Sequence, residues 1–358
     1  MILNNFRNKT VIVTGHTGFK GSWLSQWLVL LGANVIGVSS TIPSKPSHYE
    51  LINLKKNIIN KKIDVVNLKA LIKIFTDYKP DYVFHLAGQA LVKDSYLDPV
   101  KTWHTNTIGT LNILESLRKL KKNCIAVLIT SDKSYKNIEI KRGYKENDIL
   151  GGYDPYSASK ACAELIIQCY LKSFFEKKKK IKISVARAGN VIGGGDWSEN
   201  RIIPDCMRSI FYKKSLIIRF PNSTRPWQHV LEALYGYMIL ALKQKNNKNI
   251  VGNVFNFGPN NRTSIKVIDL IKRIKSQWNI LNWRILKSKK GVYESKLLKL
   301  NSDKAHKILK WKCFMNADES INMVVNWYKF YFNNKNKNMY NFSIKQIKEF
   351  ENLVKSKK

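Results

Sequence analysis

The sequence predicts an α/β fold in which a doubly wound parallel sheet carries a smaller mixed α/β lobe. Three observations predict it. Short apolar runs alternate with amphipathic stretches through the first half of the 358 residues, the pattern of parallel strands joined by covering helices. A glycine-rich turn, with Gly15, Gly18 and Gly21 in a TGxxGxxG arrangement, falls between the first apolar run and the first helical stretch. After about Gly193 the pattern changes to loops rich in Gly, Pro and Trp mixed with isolated helices. That change marks a second, smaller lobe, and loops of this kind carry specificity.

In chain order, Thr10–Thr14 is the first strand, residues 21–31 the first helix and residues 35–39 the second strand. Later strands are expected at residues 82–86, 126–130 and 183–188, with helices over 99–120 and 156–175 between them. A polar stretch at 333–339 reads as a linker. Beyond it Ile344, Ile347, Phe350 and Val354 recur at helical spacing and predict a terminal amphipathic helix. No internal repeat is visible.

Composition excludes several function classes. A hydrophobic content of 44% over this length supplies a sizeable core. The N-terminal MILNNFRNKTVIVTG lacks the apolar core and cleavage site of a secretory signal. Residues 23–40 are broken by Gln26, Gly32 and Asn34, and residues 231–242 are too few to span a bilayer, so no membrane segment is expected. The five cysteines are odd in number and contain no CxxC pair, which points to reduced thiols in a cytoplasm and to no metal site. A net charge of +37 would ordinarily suggest a polyanion partner. The lysines are scattered, however, and the runs at 177–180 and 355–358 read as solvated faces or tails, so no nucleic acid is expected as a partner.

A strand, a glycine turn and a helix in that order form a dinucleotide site. Glycine lets the backbone approach a pyrophosphate, and the helix N-terminus offers unpaired N–H groups. The glycine spacing resembles the extended short-chain dehydrogenase/reductase family. That resemblance implies a Rossmann-like domain at residues 1–192 carrying the catalytic residues, a mainly substrate-binding lobe at 193–332 from which the chain can cross back, and the linker and terminal helix at 333–358. It implies that Gly15, Gly18, Phe19, Lys20 and Gly21 line the cofactor turn, and that Asp64, with Val65 beside it, meets the adenine amino group. Leu86 and Ala87, in HLAG at 85–88, would pass over the cofactor; Thr105 and Asn106, in TNTIGT, match a helix that flanks it. The second strand ends in Val38-Ser39-Ser40, with neither an acid for the ribose hydroxyls nor an arginine for a 2′-phosphate. NAD is the better expectation on that pattern. His16, Lys20 and Trp23 read as shaping the loop and packing its helix, with no chemistry assigned.

Tyr156 and Lys160 stand one helical turn apart on one face. An ammonium near a phenol favours the phenolate, so the tyrosine is expected to have a lowered pKa and to accept a proton from a sugar hydroxyl as hydride leaves. The segment Ile129-Thr130-Ser131-Asp132-Lys133 ends a strand that should point at the same site. It resembles the strand end of the nucleotide-sugar 4,6-dehydratases. Where the dTDP-glucose enzymes have aspartate then glutamate, this chain has Asp132 then Lys133, similar to the CDP-glucose 4,6-dehydratase subfamily. GHTGFKGSWL, ARAGNVIGGGDW, IIP and RPWQHVLEAL match that subfamily across nearly the whole chain.

The resemblance implies removal of water from CDP-glucose to give a 4-keto-6-deoxy sugar nucleotide. Ser131 would hydrogen-bond the 4-oxygen, Asp132 protonate the departing 6-hydroxyl, and Lys133 take the C5 proton. An ordinary lysine near 10.4 has little free amine at neutral pH, so burial or nearby Lys160 would have to lower it; the alternative is that Lys133 only pairs with a phosphate or with Asp132. Asn190, Arg201 and Arg225 would hold the phosphates and sugar. Glu294 falls where the subfamily has a His-Glu pair, but Tyr293 precedes it here. A homodimer built partly on the Tyr156 helix, or a tetramer, is also implied. Two other readings stay open: an epimerase or reductase acting at C4 on the same fold, and a polyanion-binding protein that keeps the fold without the activity.

Overall fold

The computed structural model describes residues 2–176, 180–259, 265–286, 297–334 and 338–357. Seven strands form one parallel sheet: β1 (Thr10–Thr14), β2 (Asn34–Ser39), β3 (Ile59–Lys62), β4 (Tyr82–His85), β5 (Cys124–Ile129), β6 (Ile181–Ala188) and β7 (Val254–Phe257). Their spatial order is β7-β6-β5-β4-β1-β2-β3, so the direction of winding reverses between β1 and β4. Ligands bind at such a switch point, outside the carboxyl ends of the strands. Thr14 is in register with Val38 on one side and His85 on the other, and His85 with Leu128, so those ends form one rim.

Both faces of the sheet are covered, which explains why its central strands β1, β4 and β5 are apolar nearly throughout rather than alternating, whereas the edge strand β3, INKK, is polar. Ile12, Val83, Ala126, Leu128 and Ile183 pack with Leu71 and Phe75 of α2 (Leu68–Tyr78) and with Ile113 and Leu117 of α3. Helix α3 is a continuous run made of Pro99–Trp103, a π turn at His104–Ile108, and Gly109–Lys119. On the same side lies α4 (Pro155–Tyr170), continued by a second π turn, Leu171–Phe175. Val11, Val13, Phe84, Val127 and Ile129 point the other way, to Trp23, Leu24 and Trp27 of α1 (Phe19–Leu30) and to the apolar length of α6 (Val230–Lys243). Helix α4 opens with Asp154 accepting from the Ser157 N–H and Pro155 in its first turn, a strong start signal.

The remaining chain is a lobe above the strand ends. It contains α5 (Ile202–Phe211), α7 (Val267–Gln277), α8 (Ala317–Asn333) and three two-stranded pairings, among them Leu216–Ile218 with Trp283–Ile285. The chain passes back to the sheet twice. Residues of β7 form its edge, in register with β6, and α9 (Met339–Ser356) lies on α1, where Trp27 Nε1 donates to Glu351 and Gln26 Nε2 to the Tyr340 carbonyl. Ile347, Phe350 and Val354 are buried there. Among the described residues no helix is long and apolar enough to cross a membrane, no cluster of three or more His, Cys, Asp or Glu could hold a metal, and all five cysteines are free thiols.

Candidate active site

The cofactor turn is built by what its glycines lack. Gly15 has φ +73°, and a Cβ there would lie 2.7 Å from the Ala87 nitrogen. A Cβ on Gly21 would lie 2.1 Å from the Gly15 carbonyl oxygen. The turn therefore presses against both α1 and the loop after β4, and Gly18 caps α1 with the first helical N–H groups free to face a ligand. His16 is buried over Gly37, with its Nε2 2.6 Å from Asn60 Oδ1, so it fills the gap between β1 and β2. Ser39, at the end of β2, is engaged by the turn itself: the Thr17 N–H reaches its hydroxyl at 3.4 Å.

The rest of the predicted cofactor surface lies along the same rim. Asp64 is exposed just after β3, with its Oδ1 accepting from the Val66 N–H. Val65 is buried against Gly109, and Asn112 Nδ2 donates to the Val65 and Val66 carbonyls. Asn112 thus pins this loop, a role nothing in the residue's sequence context announced. Leu86 and Ala87 donate their N–H groups to the Thr14 carbonyl and hydroxyl. Thr105 and Asn106 sit in the π turn of α3, where the extra residue redirects side chains. Asn106 Nδ2 donates to the Gln89 carbonyl and to Ser159 Oγ, while its buried Oδ1 has no partner. A Cβ on Gly88 would meet that oxygen at 2.9 Å and the Lys160 Nζ at 3.0 Å. A glycine cradle, an unpaired amide oxygen and an ammonium at its end fit a dinucleotide.

At the catalytic end, β5 delivers Thr130, Ser131 and a short turn, Asp132–Ser134. Ser131 Oγ donates to Asp132 Oδ1 at 3.0 Å and accepts the Lys133 N–H at 3.2 Å. The Asp132 carboxylate is buried against Gly189, where a Cβ would stand 1.9 Å from Oδ2. Lys133 is partly exposed rather than buried. Behind the turn, Glu164 accepts from Thr130 and Ser134 and forms a fully buried ion pair with Arg187 on β6. The guanidinium lies 4.4 Å from the ring centroid of Tyr135. Glu164 is on α4, two turns beyond Tyr156, so this pair locks the strand end onto the catalytic helix. Glu164 and Arg187 were not among the predicted site residues.

Tyr156 and Lys160 are both buried. Tyr156 is hydrogen-bonded with Ser131, yet burial raises its phenol above the ordinary value, with Asp132 adding to the rise and Arg201 opposing it. This corrects the expectation of a lowered tyrosine: Lys160 gives up part of its own charge instead, since burial brings its ammonium down to about 8 against the attraction of Glu164. Lys20 extends from α1 to the same end, where burial and the cations Lys160 and Arg201 bring it to about 8.

On the lobe side Asn190 follows β6 with φ +48°, and its carbonyl accepts the Gln228 N–H. Arg201 pairs with Asp196 at 3.1 Å and reaches the Ala90 carbonyl at 3.4 Å, bridging lobe and sheet. Arg225 is buried and donates to the Thr224 carbonyl. Glu294 lies outside the described residues. Hydrogen bonding and electrostatic interaction therefore connect Ser131, Asp132, Tyr156, Lys160, Lys20 and Arg201 at the strand ends.

The GDP-mannose 4,6-dehydratase family matches residues 12–324. CDP-glucose 4,6-dehydratase of Salmonella typhimurium is 40% identical over 335 residues, 92% of this chain and 93% of that protein. An epimerase from Methanothermobacter thermautotrophicus superposes with a TM-score of 0.80 at 24% identity, covering 92% of this chain and 94% of the other. UDP-glucuronic acid 4-epimerase from Bacillus cereus, in complex with UDP-glucuronic acid and NAD, superposes with a TM-score of 0.75 at 22% identity, over 90% of this chain and 100% of that one.

Proposed function

The chain belongs to the GDP-mannose 4,6-dehydratase family, and from that premise we propose that it is a hydro-lyase that converts CDP-glucose to CDP-4-keto-6-deoxyglucose and water with bound NAD. The observation that carries the reading is Asp132, buried on the loop that holds Ser131 against Tyr156. Oxidation at C4 alone needs Tyr156, Lys160 and a hydroxyl group; a second, acidic group at the strand end is what loss of the 6-hydroxyl requires. The 40% identity to a CDP-glucose enzyme supports the choice of nucleotide sugar.

Tyr156 accepts the proton of the 4-hydroxyl, with Ser131 fixing the 4-oxygen and the Lys160 ammonium stabilising the phenolate that takes part. NAD, when bound, supplies the hydride acceptor for C4 and the hydride returned to C6. Once C4 is a ketone the C5 proton is acidic, and Lys133 removes it while Asp132 protonates the departing 6-hydroxyl. Asn190, Arg201, Arg225 and Glu294 hold the substrate; Asn106, Asp64 and the glycine turn hold the cofactor. The end of β2, Val38-Ser39-Ser40, itself carries no arginine for a 2′-phosphate, which favours NAD over NADP.

The protein acts as a homodimer joined through α3 and α4. Ile108, Leu165 and Phe174 are 40, 54 and 41% exposed on that side, and a second copy would cover them.

Incubation with CDP-, dTDP-, GDP- and UDP-glucose, followed by the alkali-induced chromophore of a 4-keto-6-deoxy product, tests the reading. Product from the CDP sugar is expected. Turnover of only a different sugar nucleotide would overturn the substrate, and a C4 epimer with no 6-deoxy product would overturn the reaction.

A further inference from the structure

Ser343 of α9 is fully buried, and its hydroxyl stands between two rings: Trp327 Nε1 of α8 donates to it at 3.0 Å, and His48 Nε2 lies 3.2 Å away. The other ring nitrogen of His48, Nδ1, is 2.9 Å from Ser22 Oγ in the first turn of α1. Burial keeps the imidazole neutral, so it carries one N–H. Ser22 gives its own proton to the Phe19 carbonyl at 2.9 Å. Each proton therefore has an acceptor when Nδ1 donates to Ser22 and Nε2 accepts from Ser343; with the other tautomer the Ser343 proton has none among the described residues. His48 is thus fixed to α1 on one side and to α9 on the other. Apolar side chains would fill this space without desolvating three polar groups, so what the hydrogen bonds add is direction.

The two rings that Ser343 joins are also the seat of the loop after β6. His48 stacks on Trp23 with ring centroids 4.4 Å apart, and Trp23 Nε1 donates to the Gly194 carbonyl at 2.9 Å. A Cβ on Gly194 would lie 2.0 Å from the Trp327 ring, and one on Gly195 2.7 Å from the His48 Cβ. The next residue is Asp196. Its carbonyl accepts the Tyr328 hydroxyl of α8, and its carboxylate accepts Arg201 Nη1 at 3.1 Å. We propose that Ser343 and His48 are positioning residues for the substrate: by seating the loop at 193–197 they set Asp196, and with it the Arg201 guanidinium that receives the phosphates of the nucleotide sugar. The terminal helix is then a working part of the substrate site as well as a cover for α1. The inference rests on the dehydratase reading above, from which it takes the role of Arg201. The cofactor turn has anchors of its own, the close contacts of Gly15 with Ala87 and of Gly21 with Gly15, so it depends little on this chain of bonds.

CDP affinity, NAD affinity and steady-state turnover of CDP-glucose are compared in the wild type, Ser343→Ala, Arg201→Met and the double variant. Ser343→Ala is expected to weaken CDP binding and raise KM by about fivefold or more, with kcat and NAD affinity within about twofold. In the Arg201→Met background the same substitution changes CDP affinity and KM by less than about twofold, because the group it positions is gone. His48→Phe, which keeps a ring on Trp23 and loses both hydrogen bonds, repeats the Ser343→Ala pattern. Ring-nitrogen NMR of wild-type protein labelled in histidine, with the His48 signals assigned by their loss in His48→Phe, is expected to show the proton on Nδ1. A proton on Nε2, an unchanged KM in both single variants, a loss equal for NAD and CDP, or a full further loss in the double variant overturns the inference, while wild-type turnover leaves the dehydratase reading standing. A wild type that makes no 4-keto-6-deoxy product overturns that reading and this inference with it.

Discussion

Asp132 shows how little freedom the chemistry leaves to single residues. Its carboxylate is packed so closely on Gly189 that a methyl group there would overlap Oδ2, at 1.9 Å. Gly189→Ala is therefore expected to push Asp132 out of place and to lower kcat on CDP-glucose by about 100-fold or more, with NAD affinity unchanged in a direct titration. Activity near the wild-type level would show that Asp132 has no fixed position in the reaction. The residues proposed to touch ligand stand on glycine turns, YxxxK and Ser-Asp-Lys, short motifs with fixed local geometry that a sequence can display. The residues that hold them do not. Glu164 reads in sequence as one more polar position on a helix and Arg187 as an odd charge in a strand; only the pairing of β5 with β6 and the packing of α4 bring them together.

At the scale of elements, period and start signals located α1, α3 and α4 but not α5 or α6, and they failed where an element is defined by its partner. The expected helix over 99–120 carries a π turn at His104–Ile108 that no composition signal marks, and it is this turn that bears Thr105 and Asn106. The terminal amphipathic helix was legible from Ile347, Phe350 and Val354, but its docking on α1 was not. For α4 the inner face is accounted for by Tyr156, Lys160, Glu164 and Ile167, and the outer face is what the dimer reading uses. Leu165→Glu should halve the mass measured by sedimentation in dilute solution, since a carboxylate buried at such a contact has no partner there. A dimer that persists would move the interface elsewhere.

For the whole molecule, the buried histidines set the response to acid. Burial brings His48, His85 and His229 down to about 3, whereas in the unfolded chain they take protons near 6.5. Their folded values are depressed, so their neutral rings favour the fold above pH 6.5, and that contribution is lost as pH falls below it. Glu232, which burial raises to about 8, takes up its proton within the fold over the same interval and opposes the rings. Urea unfolding of Glu232→Gln at pH 7.5 and 5.5 should therefore show stability lower at the acid value by on the order of a few kcal/mol, roughly 1 kcal/mol from each ring. Equal stability at both values would mean that the rings accept protons within the fold. The doubly wound class was legible from alternation and the glycine turn. The strand order was not, because β7 joins the edge of the sheet only after the chain has built much of the lobe, and no local pattern encodes that return.

The same return has a consequence for synthesis on the ribosome. Trp27 on α1 meets its cover, Glu351 and its helix, 324 residues later in the chain. At about 5–20 residues per second, roughly 15–65 s separate the two. Throughout that interval the part of α1 that α9 later covers, Gln26 and the Glu351 side of Trp27, lacks that cover in a nascent chain, even with the first six strands already emerged. The cofactor half of this protein is thus the first to be translated and among the last to be finished.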